Sequence, residues 1–109
     1  MEDHSFITET LPHEFVKFLY LKNTDKFLRE MKRLVRGLEL SYDPNEYDEP
    51  LLLVVRLFKK GIQDLLEMAK DPYFDEYVYK VFKVDLNSID YDLSLLLVRL
   101  VKLEKKVSR

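Results

Sequence analysis

Residues Pro50 to Lys70 read PLLLVVRLFKKGIQDLLEMAK. Five consecutive apolar residues, Leu51 to Val55, open the stretch, and Leu57, Phe58, Ile62, Leu65, Leu66, Met68 and Ala69 follow. A helix that is apolar around most of its girth has to be wrapped on several sides. The stretch is therefore expected to be the central helix of an all-α domain. Asp48 or Glu49 is placed to cap it, with Pro50 at its first position. Gly61 lies inside it at a cost of about 1 kcal/mol against Ala. Close approach of a neighbouring helix would explain that glycine; a local bend is the alternative.

Outward from this helix the chain keeps helical periods. Residues 41–49 hold Pro, Asn and four acids, which predicts a loop. Before it, Phe27, Leu28, Met31, Leu34, Val35 and Leu38 share one helical face, with Gly37 near the expected end. Leu11, Phe15, Phe18 and Leu19 mark a shorter helix to about Lys22. Thr10 or Leu11 is its expected cap and Pro12 its first residue. At Asn23-Thr24-Asp25 either a new helix starts or one helix bends. After the central helix, Asp71-Pro72 repeats the start signal, and Tyr73, Phe74, Tyr77, Val78, Val81 and Phe82 follow. Residues 84–87 break the pattern. Ser88 or Asp90 is expected to cap a last helix carrying Ile89, Leu93, Leu96, Leu97, Leu100, Leu103 and Val107. The apolar runs at 51–55 and 95–98 have strand propensity, but each is embedded in a longer helical period. The expected fold is all-α: a compact bundle of about five helices around a buried central helix, about 50–70. Residues 1–109 form one domain in this reading, with 1–9 irregular, Phe6 and Ile7 packing on the domain, and 105–109 a tail or the start of a linker.

Composition agrees. A chain of 109 residues, 47% hydrophobic and 35% charged, is globular. It buries roughly two thirds of its unfolded surface. The net charge of −2 makes no global case for nucleic acid. There is no Cys, no long uncharged run, and the acidic opening MEDHSFITET is unlike a signal peptide. A soluble, intracellular, cytoplasmic protein with no membrane contact is expected. Dense Lys, Glu, Arg and Asp lean towards a heat-loving source.

Chemistry is sparse. His4 and His13 are the only histidines, no Cys is available as nucleophile, and no Gly-rich loop follows a strand. No catalytic residue, metal site, cofactor or small-molecule substrate is expected. Asp85, Asp90 and Asp92 form an acidic cluster without calcium-loop spacing, and helix capping explains Asp90 and Asp92 better. Two basic stripes stand out. Lys22, Lys26, Arg29, Arg33 and Arg36 fall on one face if their helix is continuous. Arg99, Lys102, Lys106 and Arg109 form the second, with Lys105 beside it. Such stripes follow phosphates or dock an acidic partner; an ordinary solvated face is the competing reading. The acidic loop at 43–49 is an alternative internal counter-charge. Tyr73, Phe74, Tyr77 and Phe82 fit core packing. Tyr79 falls off that face and, with Tyr91, is a candidate interface aromatic.

The order of features resembles the helical domain of archaeal GINS subunits. Leu11-Pro12-His13-Glu14-Phe15 looks like the Leu-Pro-x-x-Phe start of that family's first helix. A charged second helix, an acidic loop and a long central helix follow in the same order. Residues Arg56 to Ala69 are similar to the family's Arg/Lys-containing central helix, and Ser88 to Val107 looks like the closing helix. Gly61 departs from the larger residue the family tends to carry. The family's linker and small β-domain are absent, so the resemblance implies the helical domain alone, as a fragment or a short member. It implies a non-catalytic scaffold of the replicative helicase, bridging the MCM motor and a RecJ-like partner. Subunit contacts would come from the apolar sides of the central and last helices. The alternative expectation is a small helical subunit of a CRISPR or viral nucleoprotein complex using the basic stripes.

Overall fold

Three short polar side chains decide where the long middle helices begin. In the computed structural model, which describes residues 5–108, Asn23 Oδ1 accepts from the Lys26 amide at 2.9 Å. Asp48 Oδ1 accepts from the Leu51 amide and Asp71 Oδ1 from the Tyr73 amide, both also at 2.9 Å. Each satisfies an amide that has no partner within its helix. The helices are α1 (Ser5–Thr10), α2 (His13–Leu19), α3 (Thr24–Ser41), α4 (Glu49–Lys70), α5 (Pro72–Phe82) and α6 (Asp90–Ser108). A single 3₁₀ turn, Asn87–Ile89, leads into α6, and the described residues contain no strand. The all-α bundle and its long central helix are as expected.

Several local expectations change. Residues 5–10 are helical, not irregular, so the described residues form six α-helices, and Ile7 is buried while the Phe6 side chain lies outside the described residues. Thr10 ends α1 and caps nothing; Pro12 itself, extended at φ −55° and ψ 146°, is the residue before α2. Lys22 sits in the left-handed region at φ 55°, so α2 and α3 are separate helices. Helix α3 passes through Gly37 to Ser41, whose hydroxyl donates to the Gly37 carbonyl at 2.9 Å. At the entry to α6 the Ser88 hydroxyl donates back to the Asp85 carbonyl at 2.8 Å, and Asp90 is already helical.

The ion pairs fix the packing directions. Lys32 pairs with Asp92 and Glu39 with Arg99, so α3 and α6 run parallel. The loop after α3 sends α4 back the other way, and α4 against α6 is the most extensive helix contact. Leu51, Val55, Phe58, Ile62 and Leu65 of α4 join Leu93, Leu96, Leu100, Leu103 and Val107 of α6 in one core with Phe27, Met31 and Val35 of α3. The 22 residues of α4 span about 33 Å at 1.5 Å each. The molecule is accordingly elongated, 49 × 24 × 22 Å.

Gly61 marks a close approach, not a bend. A Cβ there would lie 2.6 Å from Phe15 Cε2 and 2.7 Å from Pro12 Cδ. The start of α2 thus rests on the backbone of α4, and Phe15 stacks on Phe58 with ring centroids 5.4 Å apart. Helix α4 is wrapped on several sides but not on all: Leu53 and Leu57 are 57% and 51% exposed. At 100° per residue both lie about 200° around the helix from Val55, opposite the core stripe.

Lys83 closes α5 in the left-handed conformation, φ 59° and ψ 28°, with its amide donating to the Tyr79 carbonyl at 2.9 Å. A residue with a Cβ pays for that conformation and Gly does not. The Lys83 side chain is exposed, so little packing is lost on removing it. Lys83→Gly should raise the free energy of unfolding by about 0.5–1 kcal/mol in a urea titration. A lower urea midpoint would contradict this account of the α5 terminus.

Candidate functional site

The first basic stripe loses one member. Lys22 lies in the turn before α3, while Lys26, Arg29, Arg33 and Arg36 remain on the exposed side of that helix. Arg33 is paired with Glu30 at 3.3 Å. In the second stripe Arg99 is not free to meet a ligand. Its Nε donates to Glu39 Oε2 at 3.0 Å and its Nη2 to Oε1 at 2.6 Å, a two-pronged link between α6 and α3. Lys102 and Lys106 are exposed; Arg109 lies outside the described residues.

What the sequence could not reveal is that the two stripes meet. Because α3 and α6 are parallel, their C-terminal halves bring Arg36, Arg99 and Lys106 around Glu39. A shallow hollow of about 170 Å³ lies here, lined by Glu39, Tyr42, Arg99, Lys102, Leu103 and Lys106. The cations also suit the negative ends of both helices, so part of their role is structural.

Glu39 is held below the ordinary carboxylate value of 4.5, first by its hydrogen bond to Arg99, against an opposing effect of burial, with the charges of Arg99, Arg36 and Lys106 adding. Glu104 is lowered likewise, first by hydrogen bonds from Lys59 (2.6 Å) and Arg56 (2.9 Å). A carboxylate whose pKa falls on folding stabilises the protein above its unfolded pKa, and that stability is lost as pH drops through the folded value. The window is therefore the acid side of 4.5. The Glu39 and Arg99 side chains are each about a third exposed, so solvent screening keeps the effect small. The double change Glu39→Gln and Glu104→Gln should flatten the fall in stability from neutral pH to about pH 3, by roughly 1 kcal/mol in all. Urea midpoints at the two pH values measure it; an unchanged slope would mean that the pairs are not formed in solution.

Apolar side chains remain on the outside. On α6, Tyr91, Leu95 and Val98 repeat at i, i+4 and i+7, and they are 73%, 46% and 49% exposed. The same face continues into the exposed Lys102 and Lys105. The ridge is thus apolar in its first half and basic in its second. Tyr79 is exposed as expected, but no ring contact joins it to Tyr91. Tyr73, expected in the core, is also exposed, with its ring at 81° to that of Phe74. Leu95 and Val98 were legible as off-face residues by helical spacing, since both lie opposite Leu93, Leu96 and Leu100.

The remaining candidates are dispersed. His13 is exposed at the start of α2, and His4 lies outside the described residues. Asp92 pairs with Lys32 at 3.7 Å, and no group of His or acidic side chains among the described residues is arranged to hold a metal ion. An open hollow of about 460 Å³ is lined by Thr10, Asp64, Glu67, Met68, Lys70, Asp71 and Phe74. Asp64 is bound to Lys60 there and Asp71 caps α5, so two of its three acids are already engaged. No described helix is long and apolar enough to cross a membrane. No family model, curated protein or solved structure matches the chain.

Proposed function

We propose that this chain is a non-catalytic interaction module that docks a protein partner on the outward face of α6. The observation that carries the reading is the exposed run Tyr91, Leu95 and Val98, followed on the same face by Lys102 and Lys105. Contiguous apolar side chains left in water are expensive unless a partner covers them. The cations beyond them favour a partner with an apolar strip ending in acidic groups. The most specific form of this reading is a GINS-type subunit of the replicative helicase complex. It is supported by the order of the helices, and by Leu53 and Leu57 on the central helix and Leu95 and Val98 on the last, where the resemblance puts subunit contacts. A second reading, a subunit of a CRISPR or viral nucleoprotein complex, draws on the gathering of Arg36, Lys102 and Lys106 around Glu39.

The test places a photocrosslinking residue at Leu95, with exposed Glu76 of α5 as control, in native extract at low and high salt. Replication-helicase proteins captured from Leu95 alone, and held at high salt, support the GINS form. Nucleic acid released steeply by salt supports the second reading. Equal capture from both positions removes the α6 face as the docking surface.

A further inference from the structure

Where α2 ends and α3 begins, the chain forms an open notch of about 350 Å³ lined by Lys17, Phe18, Leu21, Lys26, Arg29 and Glu30. Its floor is apolar: Phe18 is half-buried with its inner side on the core, and Leu21 is 43% exposed. The left-handed Lys22 turns the chain sharply there and keeps Leu21 at the surface. Three cations stand around that floor. None of Lys17, Lys26 and Arg29 enters an ion pair with another described residue. The one acid at the rim, Glu30, is turned to Arg33. The chain carries a net charge of −2, so this corner runs against its overall balance.

We propose that this notch receives an acidic segment of a partner protein, which seats an apolar side chain against Phe18 and Leu21 while its carboxylates meet Lys17, Lys26 and Arg29. Apolar burial supplies affinity, and the cations set orientation and select against basic or neutral segments. A nucleic-acid strand fits less well. A phosphate backbone wants cations in line, and bases want an exposed aromatic face to stack on. Here the cations surround a floor whose one aromatic ring, Phe18, is half-buried against the core. The inference rests on the reading of the chain as an interaction module, but it uses α2 and α3, not α6.

The experiment titrates the ¹⁵N-labelled full chain with a short synthetic peptide in which acidic residues flank a central Leu-Phe pair. A control peptide of equal charge has Ser-Ser at the centre, and a single-stranded oligothymidine serves as the nucleic-acid probe. The Leu-Phe peptide is expected to shift the amide signals of Leu21, Lys26 and Arg29, and to bind about tenfold tighter than the control. Lys26→Glu with Arg29→Glu should weaken it a further tenfold or so, with the rest of the spectrum unchanged because both side chains are exposed. Equal binding of the two peptides, shifts confined to α6, no binding at all, or a tighter complex with oligothymidine at the same residues would each overturn the proposal. Crosslinking from Leu95 reads a separate surface, so the notch can fail while the α6 reading stands, and the reverse.

Discussion

Gly61→Ala should destabilise the protein by about 1–3 kcal/mol, although the same change in an open helix is favourable by about 1 kcal/mol. The new methyl would lie 2.6 Å from Phe15 Cε2, 2.7 Å from Pro12 Cδ and 2.9 Å from Pro12 Cγ. Neither neighbour has an easy way out. Phe15 is fully buried and stacked on Phe58, so its ring cannot swing aside without disturbing a second aromatic. Pro12 is buried in the corner between α1 and α2, where its ring has few alternative shapes. Relief would require α2 to lift off α4, which exposes part of the core. Gly37 supplies the internal control. It also lies within a helix, but a Cβ there would meet nothing within 4 Å. Gly37→Ala should therefore stabilise the protein by about 0.5–1 kcal/mol. Urea titrations of the two variants should move in opposite directions, with the Gly61 variant melting on the order of 10 °C lower. A Gly61→Ala protein as stable as the parent would show that α2 does not press on α4 in solution.

Leu95→Glu with Val98→Glu should weaken capture of the α6 partner by a hundredfold or more, because central apolar side chains of an interface are worth about 1–2 kcal/mol or more each. The pair would also set two carboxylates against the acidic groups expected of the partner. Both side chains point to solvent in the isolated chain, 46% and 49% exposed, so stability should stay within about 0.5 kcal/mol of the parent. This split between binding and folding distinguishes an interface from a loosely packed core. If the double variant instead melts much earlier, Leu95 and Val98 are structural. If it captures its partner undiminished, the docking surface lies elsewhere, with Leu53 and Leu57 of α4 the next residues to change.

Much of the fold was legible because its signals are local. Asp48 and Asp71, each followed within two residues by Pro, start α4 and α5 within a residue of where spacing puts them. The stripes Phe27-Met31-Val35 and Leu93-Leu96-Leu100-Leu103 are buried as their period requires. The misses have local causes too. Helix α1 is a single short helix with little periodicity to read, and Lys22 adopts a conformation that its residue type does not announce. Tyr73 is apolar enough to count towards a core face, yet it sits in the first turn of α5 and is 71% exposed.

The candidate surfaces divide differently. By itself the sequence determined an all-α chain, the starts of its long helices, the buried stripes of α3 and α6, and the presence of two rows of cations. Those features depend on neighbours within a turn or two along the chain. Only the tertiary structure decided that Gly61 is a contact and not a hinge, since Pro12 and Phe15 reach it from across the fold. It also left Leu53 and Leu57 uncovered, made Arg99 a link to Glu39, and brought Lys106 of α6 near the carboxylate that Arg36 neighbours along α3. Each of these outcomes follows from which helix packs beside which, and at what register. Residues some sixty positions apart, such as Glu39 and Arg99, meet only once the helices between them have folded back.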